Sequence, residues 1–254
     1  MALHQDQVRW RWYQELRPDQ LAEVVRDTPV VYWPLGLIEH HGWHLPLGLD
    51  GIKVERACMK MAERTGGVIL PTMWWGGVGG HGDFMWTLYQ PEEASSAILG
   101  RTIHQLVVFG FRAIVLFAGH YPWQHLLDQH VPPLQEAHPE VLFLWGTEVN
   151  LGGDLRLPGD HAAREETSYG LHLLPELVDM DALRPGRDES AWPGGRAPDL
   201  GQQYPGLKLD PGDPLFAQFG EDARTGSAER GETGITQLVD CVVEKINAHL
   251  TAHR

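Results

Sequence analysis

Apolar residues along the chain fall into short unbroken runs, separated by longer stretches in which they recur every three or four positions. The runs are Val30-Val31-Tyr32-Trp33 within Thr28 to Ile38, Val68-Ile69-Leu70, Phe111 to Ala118, and Val141 to Trp145. Continuous runs of β-branched and aromatic residues predict strands buried on both faces. Between them, Leu16, Leu21, Val24 and Val25 predict a helix from Leu16 to Asp27, and Ile52, Val54, Ala57, Cys58, Met61 and Ala62 predict one from Gly51 to Arg64. Pro91-Glu92-Glu93 opens a third helix in the way acidic first turns do, and Gly110 stops it. Trp123 to Ala137 reads as a fourth, kinked or split by Pro132 and Pro133. A polar loop from Arg156 feeds a further helix from about Ala163, and Ile235, Leu238, Val239, Val242, Val243 and Ile246 give the chain an amphipathic final helix.

Strand and helix alternate every 30 to 40 residues or about that, the spacing of crossover connections, so the expected fold class is α/β, a layered fold whose largely parallel sheet is flanked by helices. Residues 1–254 are expected to form one domain. The first 27 residues contribute an entry segment and a helix. Between Pro185 and Pro214, six prolines and six glycines predict an irregular excursion at about 185–214.

Candidate chemistry gathers after predicted strand ends. Pro34 to Asp50 places Glu39, His40, His41, His44 and Asp50 directly behind the first apolar run. In an extended segment Glu39 and His41 leave on one face, whereas His40 points away. Carboxylates and imidazoles without thiolates suit zinc, manganese or iron, and more than one carboxylate leaves room for two ions; the competing reading is a hydrogen-bonded surface loop. His120 follows the Phe111 to Ala118 run, and Glu148 follows the Val141 to Trp145 run. The stretch from Met73 to Trp86 combines glycines with Trp74, Trp75 and Trp86 and contains His81, which reads as a pocket-lining loop.

Charge and cysteine content narrow the partners. Asp plus Glu number 34 against 20 Lys plus Arg, a formal charge of -14, and no basic cluster is present, so nucleic acid and anionic membrane are not expected. No apolar run of about eighteen residues predicts a bilayer span. The start is not signal-like, and Cys58 and Cys241 both sit in helical patterns, so a cytoplasmic location is expected.

Three segments resemble the creatininase (creatinine amidohydrolase) family. Pro34-Leu-Gly-x-x-Glu39-x-His41-Gly-x-His44-Leu-Pro-Leu-Gly-x-Asp50 is similar to its opening signature, Gly119-His120 to its Asn-Gly-His element, and Gly159 to Ser168 to its His-Ala-Gly-x-x-Glu-Thr-Ser element. The resemblance implies a homohexamer with two divalent ions per chain (zinc, manganese or iron) at the C-terminal ends of parallel strands. Carried over by position, Glu39 and His120 would hold one ion, His41 and Glu166 the other, and Asp50 both. Creatininase uses a glutamate two residues after the motif histidine, where this chain has Pro122. Glu166 is therefore the candidate in its stead, and with His161 it makes up the candidate catalytic pair.

The resemblance also implies a small-molecule amide substrate, cleaved at a non-peptide carbon–nitrogen bond by metal-activated hydroxide while His161 protonates the leaving nitrogen. Tyr121, Trp75, Trp86 and His81 are the candidate substrate contacts. His44 and Asp160 are expected to orient ligands from behind. The family's Phe-Pro-Gly-Thr element appears as Phe84-Met85-Trp86-Thr87, which predicts a pocket of different shape. Two further readings stand beside this one: a peptidase-like maturase of a modified peptide, and a non-catalytic metal-binding protein on the same fold.

Overall fold

The computed structural model of the chain describes residues 10–77, 84–187, 191–192, 195 and 204–253. Its centre is a parallel sheet of five strands: β1 (Trp10–Trp12), β2 (Val30–Leu35), β3 (Gly67–Ile69), β4 (Ala113–Ala118) and β5 (Leu142–Gly146), in the order β1-β3-β2-β4-β5. Val31 pairs with Ile114 and Trp33 with Leu116 across the central strands, and Ile114 pairs in turn with Phe143.

Every residue of β2 and β4 is buried, because side chains that alternate across the sheet meet helices on both faces. Val30, Tyr32, Ala113, Val115 and Phe117 face one core with α2 (Leu49–Thr65), α5 (Arg164–Leu173) and α6 (Ala228–Ala252). Val31, Trp33, Leu35, Ile114, Leu116 and Ala118 face the other, against α1 (Pro18–Asp27), α3 (Glu92–Val108) and α4 (Trp123–Ala137). The expected layered α/β architecture is present, with helices on both sides of an all-parallel sheet.

Two expectations change. Trp10–Trp12 is an edge strand paired with β3 rather than an entry segment, since three residues are too few to show a period. Helix α4 runs unbroken through Pro132 and Pro133. Both prolines are exposed, as are Asp128 and Gln129, whose carbonyls lose their helical donors and can turn to water. In the 185–214 stretch the described residues form no helix or strand; the others lie outside the described set.

Strand order brings the ligand-bearing segments together. From β2 the chain passes through α2 to β3 on one side, and from β4 through α4 to β5 on the other, so the crevice past the carboxyl ends of β2 and β4 is the point where the winding reverses. Such switch points are where open α/β sheets bind ligands. The first turn of α2 is wedged into that crevice by contacts only glycine permits. A Cβ on Gly36 would lie 2.5 Å from Gly51 Cα, and one on Gly119 would lie 2.1 Å from the Asp50 carbonyl oxygen.

Backbone cannot yield there as a side-chain tip can. Gly119→Ala is expected to destabilise the fold by about 1–3 kcal/mol through overpacking and to push Asp50 out of place. Urea denaturation of the ion-free chain reads this directly; an unchanged midpoint would show that the start of α2 is free to shift.

Candidate metal centre

Four segments deliver the polar side chains. Glu39 and His41 come from the loop after β2, Asp50 from the first turn of α2, His120 from the turn after β4, and Glu166 from the first turn of α5. All are buried. Three sets of ligand atoms lie within 4.8 Å of one another: Glu39, Asp50 and His120; His41, Asp50 and Glu166; and Glu39, His41 and His161.

Asp50 belongs to two of these sets with different oxygens. Its Oδ1 lies 3.1 Å from His41 Nε2, and its Oδ2 lies 3.5 Å from His120 Nδ1. His41 Nε2 is also 3.6 Å from Glu166 Oε2, and His120 Nδ1 is 3.0 Å from Glu39 Oε2. Asp50 Oδ2 and His41 Nε2 take part in no well-formed hydrogen bond despite full burial, which is costly for polar atoms unless something else meets them.

Hydrogen bonds behind the ring of donors set their direction. His41 Nδ1 lies 3.0 Å from the backbone carbonyl of Glu39, and since a carbonyl only accepts, Nδ1 keeps its proton there, which leaves Nε2, facing Asp50 and Glu166, as the nitrogen that could give up its proton to an ion. His161 Nε2 likewise donates to the His40 carbonyl at 3.1 Å. Ala162 has φ of +50°, unusual for a residue with a side chain, and that turn aims its N–H at Glu166 Oε2 (2.8 Å). Asp160 accepts the N–H groups of Glu165 (2.7 Å) and Glu166 (3.0 Å), anchoring the first turn of α5.

The electrostatics show the same demand for cations. Burial disfavours a charged His41, yet Asp50, with Glu166 and Glu39 behind it, outweighs that effect and raises the imidazole to about 9. Burial likewise opposes charge on His120, and Glu39 with Asp50 raises it to about 10. Asp50 is the converse case: burial favours its neutral form, but His41 and His120 hold it well below the usual carboxylate range. His44 is lowered to about 3 by burial and by the charge on His41, so it is neutral at ordinary pH. Asp160 is raised to about 7, by burial and then by Glu166, against the pull of its two backbone donors. In the ion-free chain, protons on two imidazoles answer the carboxylates; divalent ions would meet the same atoms, so the donor set fits them.

The residues expected at the site from sequence are distributed unevenly. Glu39, His41, Asp50, His120, Glu166 and His161 come together. Tyr121, with Glu39, His120, Asp160 and His161, lines a cavity of about 460 Å³ whose other walls include Pro122, Val149, Leu157, Pro158 and Phe219. Trp75 and Trp86 do not line it; they are 50% and 67% exposed. His81 lies outside the described residues. His44 hydrogen-bonds Thr167 Oγ1 at 2.8 Å rather than a ligand carboxylate. His40 is buried among Trp43, Phe84 and Phe216.

Sequence reasoning missed Lys53 and undervalued Glu148. Lys53 is 1% exposed and donates to Glu166 Oε1 (2.9 Å) and Glu148 Oε1 (3.1 Å). Burial works against its charge, but the two carboxylates hold its pKa above the ordinary lysine value. A signal existed: Lys53 stands three residues after Asp50, on the apolar face of α2 shared by Val54, Ala57 and Met61.

The family model described as Creatininase, creatinine amidohydrolase, matches residues 14–246. The chain is 24% identical to the creatinine amidohydrolase of Pseudomonas putida over 94% of each sequence. It is 26% identical to the mycofactocin precursor peptide peptidase of Mycobacterium ulcerans, covering 91% of this chain and 90% of that protein. Among solved structures, one titled "Creatininase Mn" superposes with a TM-score of 0.71 at 22% identity, over 94% of this chain and 98% of that one.

His41 and His120 must each give up a proton before ligating through the nitrogen that faces the carboxylates. Loading the ion-free chain with Zn²⁺ near pH 7 is expected to release about two protons, with affinity rising as pH approaches 9 to 10. Calorimetry in buffers of different ionisation enthalpy counts those protons, and a buffer-independent heat would contradict it. The ion-free chain has the reverse dependence. Because both folded-state values exceed the ordinary 6.5, their contribution to stability is present below pH 6.5 and is lost as pH rises through 9 to 10.

Proposed function

Because the chain belongs to the creatininase family of carbon–nitrogen hydrolases, we propose that its buried donor set holds two divalent ions, zinc, manganese or iron, and that it hydrolyses a non-peptide C–N bond of a small, neutral amide. The observation that carries this reading is Asp50, whose two oxygens face different histidines, His41 and His120. A carboxylate so placed could contribute to a site on either side of it. Glu39 and His120 would hold one of the ions, and His41 and Glu166 the other. When bound, the ions supply Lewis acidity to the substrate carbonyl and acidify water.

The chain's own residues do the rest. The cavity beside Glu39, His120 and His161 receives the amide, and the walls formed by Pro122, Val149, Leu157, Pro158 and Phe219 exclude water and take an apolar substituent. No lysine or arginine is among the described residues lining it, and Asp160 adds an acidic group. An anionic substituent at that end is therefore unfavourable. His161 keeps its Nε2 proton on the His40 carbonyl, which leaves Nδ1 as the atom that takes up a proton and delivers it to the departing nitrogen. His161 also shares a donor set with Glu39 and His41, so it stands beside the reacting atoms rather than behind them.

A peptide substrate is the second reading, favoured by the likeness to the Mycobacterium ulcerans peptidase. The two readings part on substrate size, because a 460 Å³ cavity accommodates a drug-sized molecule or a few residues at a chain end. A panel of neutral cyclic amides, N-acyl amines and short peptides separates them.

The assembly we propose is a cytoplasmic homohexamer. Leu47, Trp75, Trp86, Leu88 and Tyr89 are large and exposed, and their segments are tied together: Glu39 N–H donates to the Leu47 carbonyl, Leu88 N–H to Ile38, and Gln90 N–H to Gly76. Apolar surface of this kind supports contact between copies. No helix among the described residues is long and apolar enough to cross a membrane.

Two substitutions test the chemistry. Asp50→Ala is expected to lose both ions by elemental analysis, and activity with them, whereas two ions retained would sink the reading. His161→Asn is expected to keep both ions while the turnover rate falls by about 10²–10⁴-fold, the usual worth of a general acid. A variant with wild-type turnover would remove His161 from the reaction. The assembly is checked by light scattering, where a monomer mass would contradict it.

A further inference from the structure

A lysine whose ammonium is fully buried needs a reason, since moving that charge out of water costs several kcal/mol unless partners meet it. Lys53 Nζ has three acceptors for its three hydrogens: Glu166 Oε1 at 2.9 Å, Glu148 Oε1 at 3.1 Å and the Gly119 carbonyl at 3.4 Å. It thus spans the first turn of α2, the turn after β4, the segment after β5 and the first turn of α5. Glu166 is held at both ends. Its Oε1 is taken by Lys53, and its Oε2, which accepts the Ala162 N–H, is the oxygen 3.6 Å from His41 Nε2. A carboxylate gripped in this way is held in one orientation, with Oε2 toward His41 and Oε1 toward the Lys53 ammonium.

We propose that Lys53 is a positioning residue that confines Glu166 to a single ion-facing oxygen, Oε2, and so sets the affinity of the ion held with His41 while leaving the ion held by Glu39 and His120 unaffected. The inference rests on the two-ion reading above. Glu148 is the counter-charge in this arrangement: its Oε1 accepts from both Lys53 and the Tyr121 hydroxyl (2.6 Å), so the Lys53–Glu148 pair is neutral as a unit. The same chain of hydrogen bonds joins the ion-facing carboxylate to Tyr121 on the cavity wall.

The neutrality of the pair supplies the test. Lys53→Met alone would strand Glu148 and Glu166 without a cation and risks misfolding. The double substitution Lys53→Met with Glu148→Gln removes the pair with no change in net charge, and Glu148→Gln alone leaves Lys53 on Glu166. Each chain, stripped with a chelator and dialysed, is titrated with Mn²⁺ while free Mn²⁺ is counted by electron paramagnetic resonance and bound metal by elemental analysis.

Wild type is expected to take two ions. The double variant is expected to keep the first at wild-type affinity and to bind the second roughly 10–100-fold more weakly, the usual effect of losing the partner that orients a ligand. Glu148→Gln is expected to bind both as wild type does. Two ions at wild-type affinity in the double variant would overturn the proposal, as would a Glu148→Gln variant that loses the second ion. The latter result stands even if the double variant fails to fold. A wild-type chain that takes fewer than two ions would instead overturn the two-ion reading itself, and the role of Lys53 with it.

Discussion

Four carboxylates, Glu39, Asp50, Glu148 and Glu166, are buried in one crevice at the carboxyl ends of β2, β4 and β5, and the rest of the site follows from having to meet their charge. Carboxylates removed from water are tolerated only where cations or hydrogen bonds replace hydration. Lys53 answers Glu148 and part of Glu166. Imidazoles answer the remainder: His41 and His120 are drawn far above their ordinary pKa, which says that the crevice prefers positive charge on the atoms where ions would sit. A protein built only for stability has little use for such a concentration of one sign. The divalent cations of the proposed function would give it one.

The backbone makes that density possible. Gly36, Gly51 and Gly119 allow the ends of two strands and the first turn of a helix to approach more closely than any side chain would permit, and Asp50 sits in the resulting notch. The reversal of winding between β2 and β4 sends α2 and α4 to opposite faces of the sheet, which opens the crevice that Asp50 enters. Burial of both strand faces then holds the notch rigid, because every residue of β2 and β4 is locked between two cores.

The site has two chemical halves that share few residues. One is a compact set of carboxylates and imidazoles; the other is a cavity with largely apolar walls. Glu39, His120 and His161 belong to both, and the Lys53–Glu148–Tyr121 hydrogen bonds run behind them from ligand to wall. Pro122 marks the chain's own character. It stands on the cavity wall beside His120, and the carboxylate 3.6 Å from His41 Nε2 is that of Glu166, at the start of α5.

The sequence by itself determined what depends on neighbours along the chain. Short apolar runs separated by helical periods were enough for a parallel α/β fold, and the density of ligand types from Glu39 to Asp50 was visible because one loop and one helix start carry it. Only the tertiary structure decided what depends on approach between distant segments. It brought His120 and Glu166 to Asp50, a grouping that only the family resemblance had implied, found the lysine that joins α2 to Glu148 and Glu166, and left Trp75 and Trp86 exposed and off the wall of the cavity they had been expected to line. The edge strand at Trp10–Trp12 was likewise hidden, being too short for its pattern to show without β3 beside it. The reason is common to all of these. Periodicity reports which face of an element is buried, whereas a charge is stabilised by whatever lies across from it, and that partner is chosen by packing rather than by spacing.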